Sequence, residues 1–280
     1  MSFAHNRTVR ISSEDETDPN FRLAKGMSLT MSYHVFAAFY DLLTENIDYK
    51  KRAAYFCKIF KKHGFFDLSG RLLLDLCCGT GSLTYAFEKS GFDVTGVDKS
   101  AEMLSIAEKK RPENSRALFL NQDALNLNLF GTADLAVSAL DSINHLKSTA
   151  ELRKVFEKVS LFLNDGGLFV FDVNSLYKHK YVLADNCFVY DRGDVFCGWA
   201  NEYDAKNKKT DIYLDFFTKT DTGYERLSEA FSEQFFSKAE ISAALKKAGF
   251  SLLEIYAADT LSPPTAKTER IIYTAKKLKG

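Results

Sequence analysis

Short apolar runs alternate with amphipathic stretches over most of the chain, and this alternation predicts its secondary structure. Five of the runs lack a clean polar alternation, as is typical of strands that are buried on both faces of a sheet. The stretches between them place apolar residues at helical spacing. Strands that alternate with helices predict right-handed crossovers and an α/β fold with a doubly wound, mostly parallel sheet. The five runs are LLLDL (72–76), DVTGV (93–97), ALFLN (117–121), ADLAVSAL (133–140) and GLFVFDV (167–173).

The predicted helices have recognisable ends. An apolar stripe over residues 152–163 is preceded by the capping-box sequence Ser148-Thr-Ala-Glu151 and followed by Asn164-Asp-Gly-Gly167. We therefore expect one helix between these two signals. Before the first strand, the aromatic segment YHVFAAFYDLLT (33–44) and the more basic segment 48–63 predict two further amphipathic helices.

The alternation of strands and helices divides the chain into segments. Residues 174–237 read as alternating strands joined by polar turns, which predicts an antiparallel β insertion that forms a lid. The parallel pattern resumes with a helix capped at Ser237 and with SLLEIYA and RIIYTAK, which bring the main sheet to seven strands. We expect a mobile tail at 1–30 and one main domain made of 31–173 and 238–280.

The charge balance and the cysteines narrow the function classes. The 37 basic and 37 acidic residues cancel, so no whole-molecule field favours nucleic acid or a membrane surface. No apolar run approaches the ~20 residues of a membrane-spanning helix. The five cysteines are an odd number and no secretory leader precedes them, which indicates a reducing, cytoplasmic setting. A small neutral or zwitterionic partner fits this composition better than a macromolecule.

A glycine turn follows the first predicted strand, in Asp75-Leu-Cys-Cys-Gly79-Thr-Gly81. This turn lies at the carboxyl end of a strand, where open α/β sheets bind ligands, and its glycines allow close approach and positive φ. Seventeen residues after Gly81, the second strand ends at Asp98, which is well placed to accept both hydroxyls of a ribose. Together the two features indicate an adenosine ligand.

The two adjacent cysteines of this turn, Cys77 and Cys78, raise the question of metal or redox chemistry. A structural zinc site needs four donors, and no second cluster of Cys or His at ligand spacing supplies the rest. Neighbouring residues at a strand end also point apart. We therefore expect no metal site, with Cys77 against the ligand and Cys78 packed inward.

The identity of the adenosine compound depends on the rest of the turn. A dinucleotide fingerprint has three glycines, and the sequence departs from it at Cys77 and Thr84. The turn matches D-x-x-x-G-x-G, and over residues 31–280 the chain resembles the class I S-adenosylmethionine-dependent methyltransferases. Further parts of that family's pattern follow in order: Asp98-Lys-Ser100-Ala-Glu-Met103, Asn121-Gln-Asp123-Ala124 and Leu140-Asp141-Ser142-Ile-Asn144-His145.

The resemblance implies a Rossmann-like methyltransferase fold, S-adenosylmethionine as cofactor and a set of cofactor contacts. The backbone of the glycine turn would hold the methionine part, Asp98 the ribose and Asp123 the adenine amino group. Met103 and Leu140 would enclose the adenine ring. The first helix resembles the one that closes over the cofactor in small-molecule methyltransferases. The implied cofactor-binding residues are Tyr33, Tyr40, Asp75, Cys77, Gly79, Thr80, Gly81, Asp98, Lys99, Met103, Gln122, Asp123, Ala124 and Leu140.

The acceptor side is less defined by the sequence. A base assists methyl transfer to a hydroxyl or a protonated amine, and the candidates are His145 and Asp141, just after the fourth strand. Aromatic residues of the insertion would select a small-molecule acceptor, although we expect the larger share of them to pack the lid onto the main sheet. Three alternatives stay open: a nicotinamide-dependent oxidoreductase, a cofactor-binding protein without catalysis, and a methyltransferase acting on RNA or protein.

Overall fold

A computed structural model describes residues 34–280 of the chain. The predicted tail at 1–30 and the candidate Tyr33 lie outside the described residues. The helices are α1 (His34–Leu43), α2 (Tyr49–Lys62), α3 (Ser82–Lys89), α4 (Ala101–Lys109), α5 (Thr149–Leu161) and α6 (Lys238–Lys247). The strands are β1 (Leu72–Leu76), β2 (Asp93–Asp98), β3 (Leu118–Asn121), β4 (Ala133–Ser138), β5 (Leu163–Asn174), β6 (Cys187–Asp191), β7 (Val195–Asp204), β8 (Lys209–Thr220), β9 (Gly223–Gln234), β10 (Phe250–Ala257) and β11 (Arg270–Lys277).

The main sheet has seven strands in the order β10-β11-β5-β4-β1-β2-β3. The pairs β1–β2, β1–β4, β2–β3 and β4–β5 are parallel. The predicted fold class, a doubly wound and mostly parallel seven-stranded sheet with an antiparallel β insertion, is confirmed. The expectation that the parallel pattern resumes after the insertion is wrong for one strand, because β11 lies between β5 and β10 and is antiparallel to both.

Alternate residues of the central strands pack into two hydrophobic cores. In β5, Leu168 and Val170 belong to the core that contains the apolar residues of α2 and α3. Their neighbours Phe169 and Phe171 belong to the core that contains α5 and α6. Since successive side chains of a strand point to opposite faces, helices cover both faces of the sheet. This explains why these strands have no polar alternation in the sequence.

The boundary between α5 and β5 differs from the prediction. The helix ends at Leu161, and the segment Asn164–Gly167 belongs to β5 instead of closing the helix. In the pairing of β4 with β5, Leu163 lies opposite Ala133 and Leu168 opposite Leu135, so the extra residues of β5 bulge out. Gly167 is required there because a Cβ atom would lie 2.7 Å from the Asp134 carbonyl oxygen.

The four strands β6 to β9 form a separate antiparallel sheet in that order. Its apolar face packs on α1 and α4, with Phe39 of α1 stacked on Phe216 at a centroid distance of 4.5 Å. The larger share of the insertion's aromatic residues is expected on the main sheet, whereas Phe216 and Phe231 pack on α1. The division into domains at 173 and 238 stays a prediction. No helix within residues 34–280 has the length and apolar content to span a membrane.

Candidate active site

A cavity of about 630 Å³ opens at the carboxyl ends of the parallel strands. The segments that follow β1, β2, β3 and β4 line its inner wall, while α1 and the antiparallel sheet cover it. A small cavity of about 20 Å³ shares some of its residues and adds Asp75 and Thr80. Eleven predicted site residues line the larger cavity: Tyr40, Cys77, Gly79, Asp98, Lys99, Met103, Asp123, Ala124, Leu140, Asp141 and His145.

Two predicted cofactor contacts line neither cavity. The Gln122 side-chain amide donates to the Asn128 carbonyl and accepts from its N–H, both at 2.9 Å, so it closes the loop after β3. Gly81 begins α3 with a φ of 73°, and a Cβ there would lie 2.8 Å from the Phe119 ring. Both residues support the cavity wall from behind.

The glycine turn has the backbone that a ligand cradle requires. Cys77, Gly79 and Gly81 have φ values of 60°, 54° and 73°, which is the left-handed region. A Cβ on Gly79 would meet no atom within 4 Å, so the space in front of this residue is open to a ligand. Cys77 adopts the same conformation with a side chain, which is uncommon for residues other than glycine.

The two cysteines of the turn point in different directions, as expected from their adjacent positions. Cys77 lines the cavity, while the Cys78 sulfur faces the sheet and would lie 2.9 Å from a Cβ on Gly96. Burial raises the pKa of both thiols, with further contributions from nearby carboxylates that include Asp98. Both thiols are therefore protonated at neutral pH, which makes them poor nucleophiles.

Asp98 connects the second strand to the glycine turn. One carboxylate oxygen accepts a hydrogen bond from the Gly79 N–H and the other accepts from the Ser100 N–H, both at 2.9 Å. Burial raises the pKa of this carboxyl group, and the two N–H donors work in the opposite direction. Each oxygen keeps a second lone pair, so Asp98 can also accept hydrogen bonds from the hydroxyl groups of a ribose at the cavity wall.

Asp75 is buried behind the turn, and Thr84 explains why the sequence departs from a dinucleotide fingerprint. The Thr84 hydroxyl donates to the Asp75 carboxylate at 2.6 Å. Burial raises the pKa of Asp75 to about 7, although the hydrogen bond from Thr84 opposes the shift. Thr84 is thus the anchor of a buried carboxyl group at the place where dinucleotide-binding turns carry glycine.

The surfaces expected to enclose adenine lie on the same cavity. Met103 of α4 and Leu140, two residues beyond β4, both line it, together with Asp123 and Ala124 after β3. The Asp123 carboxylate accepts from the Leu125 N–H at 2.9 Å and so begins the short 3₁₀ turn Ala124–Asn126. The cavity therefore offers a carboxylate that can accept a hydrogen bond from the adenine amino group, and two apolar side chains that can contact its ring.

The first helix is attached to the glycine turn through a cation. Lys110 Nζ lies 2.6 Å from the Asp41 carboxylate, 3.0 Å from the Thr80 hydroxyl and 2.7 Å from the Ser82 hydroxyl. Thr80 also donates to Asp41 at 2.6 Å. These contacts hold α1, with Phe36 and Tyr40, over the mouth of the cavity. Thr80 is predicted to contact the cofactor. It lines the small cavity, and its hydroxyl is hydrogen-bonded to Asp41 and Lys110.

On the opposite wall, Asp141 is part of an ion-pair network. Its carboxylate accepts from Arg270 at 2.7 Å and from Asn174 at 3.0 Å. Burial would raise the pKa of Asp141, but the charges of Arg270 and Lys178 outweigh it and hold the pKa well below its usual range. Asp141 is therefore ionised and paired, and it is a weak proton acceptor.

Asp172 determines the backbone of this wall. Leu140 and Asp141 have φ values of 58° and 57°, and their N–H groups donate to the two Asp172 carboxylate oxygens at 2.9 and 2.6 Å. Arg270 supplies the counter-charge at 2.8 Å. A buried carboxylate that accepts two backbone N–H groups offsets the cost of two left-handed residues. The predicted strand 133–140 ends at Ser138 for this reason.

His145 and Glu233 lie beside Asp141 on the cavity. One ligand atom from each of the three side chains lies within 4.8 Å of the other two. Burial lowers the pKa of His145 to about 4, with Asp141 opposing the shift, so its imidazole is neutral at pH 7. Burial, together with the Asp141 charge, raises the pKa of Glu233 to about 7. Arg270 and Lys178 supply the positive charge of this wall, and both form ion pairs with Asp141.

Three residues of this wall escaped the sequence analysis: Asp172, Asn174 and Glu233. The signal for the first two was the polar end of an otherwise apolar strand, GLFVFDVN. Glu233 lies in the insertion, and nothing in the sequence distinguishes it from the glutamates 225 and 229 of the same strand. Arg270 begins the predicted strand RIIYTAK, but nothing in the sequence brings it to Asp141.

The site can be compared with known proteins. A model of the methyltransferase domain family matches residues 73–167. A putative methyltransferase of Geobacillus is 32% identical and covers 88% of this chain and 100% of its own. A putative methyltransferase of Bacillus subtilis, YqeM, is 31% identical over 89% of this chain and 98% of its own. The crystal structure of an S-adenosylmethionine-dependent methyltransferase from Clostridium acetobutylicum has a TM-score of 0.78 and 34% identity, covering 88% of this chain and 99% of that one.

These likenesses span nearly the whole described fold, and they agree with the geometry of the turn and the cavity. The chain belongs to the S-adenosylmethionine-dependent methyltransferases. The cofactor of this family is S-adenosylmethionine. The residues present fit it, since the open face of Gly79, the Asp98 carboxylate and the Met103 and Leu140 side chains all face one cavity.

Proposed function

We propose that the protein transfers a methyl group from S-adenosylmethionine to a small-molecule acceptor. One observation carries the proposal: five contacts predicted from separate segments line a single cavity, and they are Gly79, Asp98, Met103, Asp123 and Leu140. At about 630 Å³ the cavity is within the range of small-molecule sites, roughly 300–1,000 Å³. It would hold the cofactor together with an acceptor of modest size.

The cofactor would supply a methyl group that its sulfonium has already activated, so the protein's task is to align the acceptor and exclude water. Gly79 would allow close approach of the methionine part, Asp98 would accept the ribose hydroxyls and Asp123 the adenine amino group. Met103 and Leu140 would enclose the adenine ring. The helix α1 would close over the cofactor through Tyr40.

On the acceptor side we assign different roles to the two candidate bases. His145 is neutral and lines the cavity, so it can contact the acceptor as a hydrogen-bond donor or acceptor. Asp141 is held by Arg270 and by the Asp172 carboxylate, so we assign it as a positioning residue that fixes the wall next to Leu140. A cofactor-binding protein without catalysis would need no such polar wall.

The proposal is tested first by calorimetric titration with S-adenosylmethionine, S-adenosylhomocysteine and NAD. We expect tight binding of the first two and none of NAD. In Asp98→Asn one of the two N–H contacts and the ribose contact are weakened, so the affinity for S-adenosylhomocysteine should fall about tenfold to a hundredfold. Binding of NAD, or an unchanged affinity in the variant, would refute the assignment.

A matched control lies on the same strand. Asp93 begins β2 at the other end of the sheet, where its carboxylate pairs with the exposed Arg116 at 2.8 Å. Asp93→Asn should keep full affinity for S-adenosylhomocysteine. Circular dichroism of both variants would show whether the fold is intact.

A further inference from the structure

The acceptor end of the cavity contains a carboxylate without a dedicated counter-ion. Glu233 of β9 is only 5% exposed and lines the cavity. Its carboxylate accepts a hydrogen bond from Asn174 at 2.7 Å. Within residues 34–280 no lysine or arginine forms an ion pair with it, whereas Asp141 is paired with Arg270 at 2.7 Å. The positive charges of this wall are thus committed to Asp141 and Asp172.

A buried carboxylate in this position is costly unless a cation joins it. The groups that face Glu233 are Asp141 and His145 after β4, Lys178 after β5 and Arg270 at the start of β11. Burial and the Asp141 charge raise the pKa of Glu233 to about 7, and Lys178 and Arg270 compensate only in part. A ligand with a positive charge would remove this cost.

The remaining surface near Glu233 also suits a cation. Phe231 precedes Glu233 by two residues on β9 and lines the cavity, and its ring lies 5.3 Å from the His145 ring. The face of an aromatic ring attracts an ammonium ion, most strongly where water is excluded. An uncharged hydroxyl could donate a hydrogen bond to Glu233 but would form no ion pair and no cation–π contact, and a carboxylate acceptor would be repelled by Glu233.

We propose that the acceptor is a small amine that binds as its ammonium ion, with the Glu233 carboxylate as its counter-ion and its proton acceptor. This inference rests on the proposed methyl transfer. The ammonium nitrogen would lose one proton to Glu233, and the lone pair so released would form the new N–C bond to the methyl carbon. The C–S bond breaks in the same step and its electron pair stays on sulfur. The product is again an ammonium ion.

The test uses the full chain saturated with S-adenosylhomocysteine, titrated in a calorimeter with cyclohexylamine and benzylamine. The uncharged controls are cyclohexanol and benzyl alcohol, which have the same carbon skeletons. We expect each amine to bind at least tenfold more tightly than its alcohol at pH 8. Equal affinity within both pairs, or no binding of either amine, would overturn the inference.

The variant Glu233→Gln keeps an acceptor for Asn174 but has no charge. It should lose the preference for amine over alcohol while its affinity for S-adenosylhomocysteine is unchanged. The control is Glu229→Gln, on the same strand, whose carboxylate accepts from the Phe36 N–H at 2.7 Å and lies outside the cavity lining. That variant should keep the preference. A preference that survives in Glu233→Gln would contradict the inference.

A second readout follows the proton itself. Below pH 7, amine binding should release a proton from Glu233, which titrations in buffers of different ionisation enthalpy detect. The release should disappear in Glu233→Gln. Loss of amine binding on addition of EDTA would show that a metal ion binds at this cluster and would refute the role of Glu233. If S-adenosylhomocysteine itself fails to bind the wild type, the proposed function fails before the acceptor is tested.

Discussion

At the scale of single residues, two carboxylates at neighbouring strand ends differ in their environment. Asp98 accepts two backbone N–H groups, whereas Asp75 has the Thr84 hydroxyl as its donor. Hydrogen bonds from N–H groups stabilise the ionised form of a carboxyl group, and burial opposes it. Asp75 therefore carries the larger cost of ionisation, with a pKa raised to about 7 against an ordinary value of 3.8.

This difference predicts how Asp75 affects stability across pH. Because its folded pKa is raised, Asp75 favours the folded state when protonated, and this contribution is lost as the pH rises from about 4 to about 7. Asp75→Asn keeps an acceptor for Thr84 without the ionisation. We expect the variant to be more stable than the wild type at pH 8, by up to roughly 4 kcal/mol.

Urea denaturation at pH 5, 6, 7 and 8 measures the difference. Other titrating groups are common to both proteins, so the gap in the free energy of unfolding reports Asp75 alone. The gap should widen with pH and level off above pH 7. A variant that is equally stable or less stable at pH 8 would show that Asp75 ionises without cost.

The residue scale is also where the sequence was least informative. The motif placed Asp98, Asp123 and Leu140 on the cavity because each follows a strand of a parallel sheet. It did not reveal that Cys77 and Leu140 adopt left-handed backbone, since that conformation depends on partners distant in sequence. For Leu140 the partner is Asp172, 32 positions away.

At the scale of elements, α1 is held by polar contacts on two sides. The Phe36 N–H near its beginning donates to Glu229 of β9, and Asp41 near its end pairs with Lys110. Between these ends Phe39 stacks on Phe216. The helix therefore joins the antiparallel sheet to the glycine turn, and its closed position depends on Lys110.

Removal of this cation predicts a looser helix. In Lys110→Met the Asp41 carboxylate loses its counter-ion and keeps the hydrogen bond from Thr80, and a partly exposed ion pair of this kind contributes about 0.5–1 kcal/mol. We expect amide hydrogen exchange in residues 34–43 to become roughly threefold to fivefold faster, with β1 and β4 unchanged. Binding of S-adenosylhomocysteine should weaken by a similar factor.

Lys109→Met provides the matched control, because Lys109 is the exposed neighbour at the end of α4. It should leave both the exchange in α1 and the affinity as in the wild type. Equal exchange in the two variants would mean that Lys110 does not hold the helix.

Most elements could be predicted because their pattern is local. The strands β1, β2, β3 and β10 match their predicted runs to within a residue, because a short apolar run between turn residues is a local signal even at the partly exposed edge strands β3 and β10. The end of α5 could not be predicted, because Gly166 and Gly167 lie in the bulge of β5 where it pairs with β4. The same two glycines read locally as a helix end.

At the scale of the whole molecule, the acceptor wall exists only because the topology brings distant segments together. Strand β11 lies beside β5 and places Arg270 against Asp141, 129 positions away. Strand β9 places Glu233 against Asn174 of β5. The resemblance identified the cofactor side, where the contacts follow strand ends in order. The acceptor side needed the three-dimensional structure.

Asn144 also links the two sheets, through hydrogen bonds to the backbone of each. It is fully buried, and its side-chain amide donates to the Gln234 carbonyl at the end of β9 at 2.9 Å. Its side-chain oxygen accepts from the Asn174 N–H at the end of β5 at 2.8 Å. One amide thus satisfies a backbone group of each sheet, and it couples the unfolding of the insertion to that of the core.

Asn144→Ala removes the partners of the buried Asn174 N–H and of the partly buried Gln234 carbonyl, so we expect a loss of roughly 2–3 kcal/mol in the free energy of unfolding. The single tryptophan, Trp199, lies in β7 and reports the antiparallel sheet, while far-ultraviolet circular dichroism reports the whole chain. In the wild type the two urea transitions should coincide. In the variant the Trp199 transition should come first, because the insertion has lost a hydrogen-bonded link to the seven-stranded sheet. Transitions that still coincide at lower urea would show that Asn144 contributes stability but does not couple the two sheets.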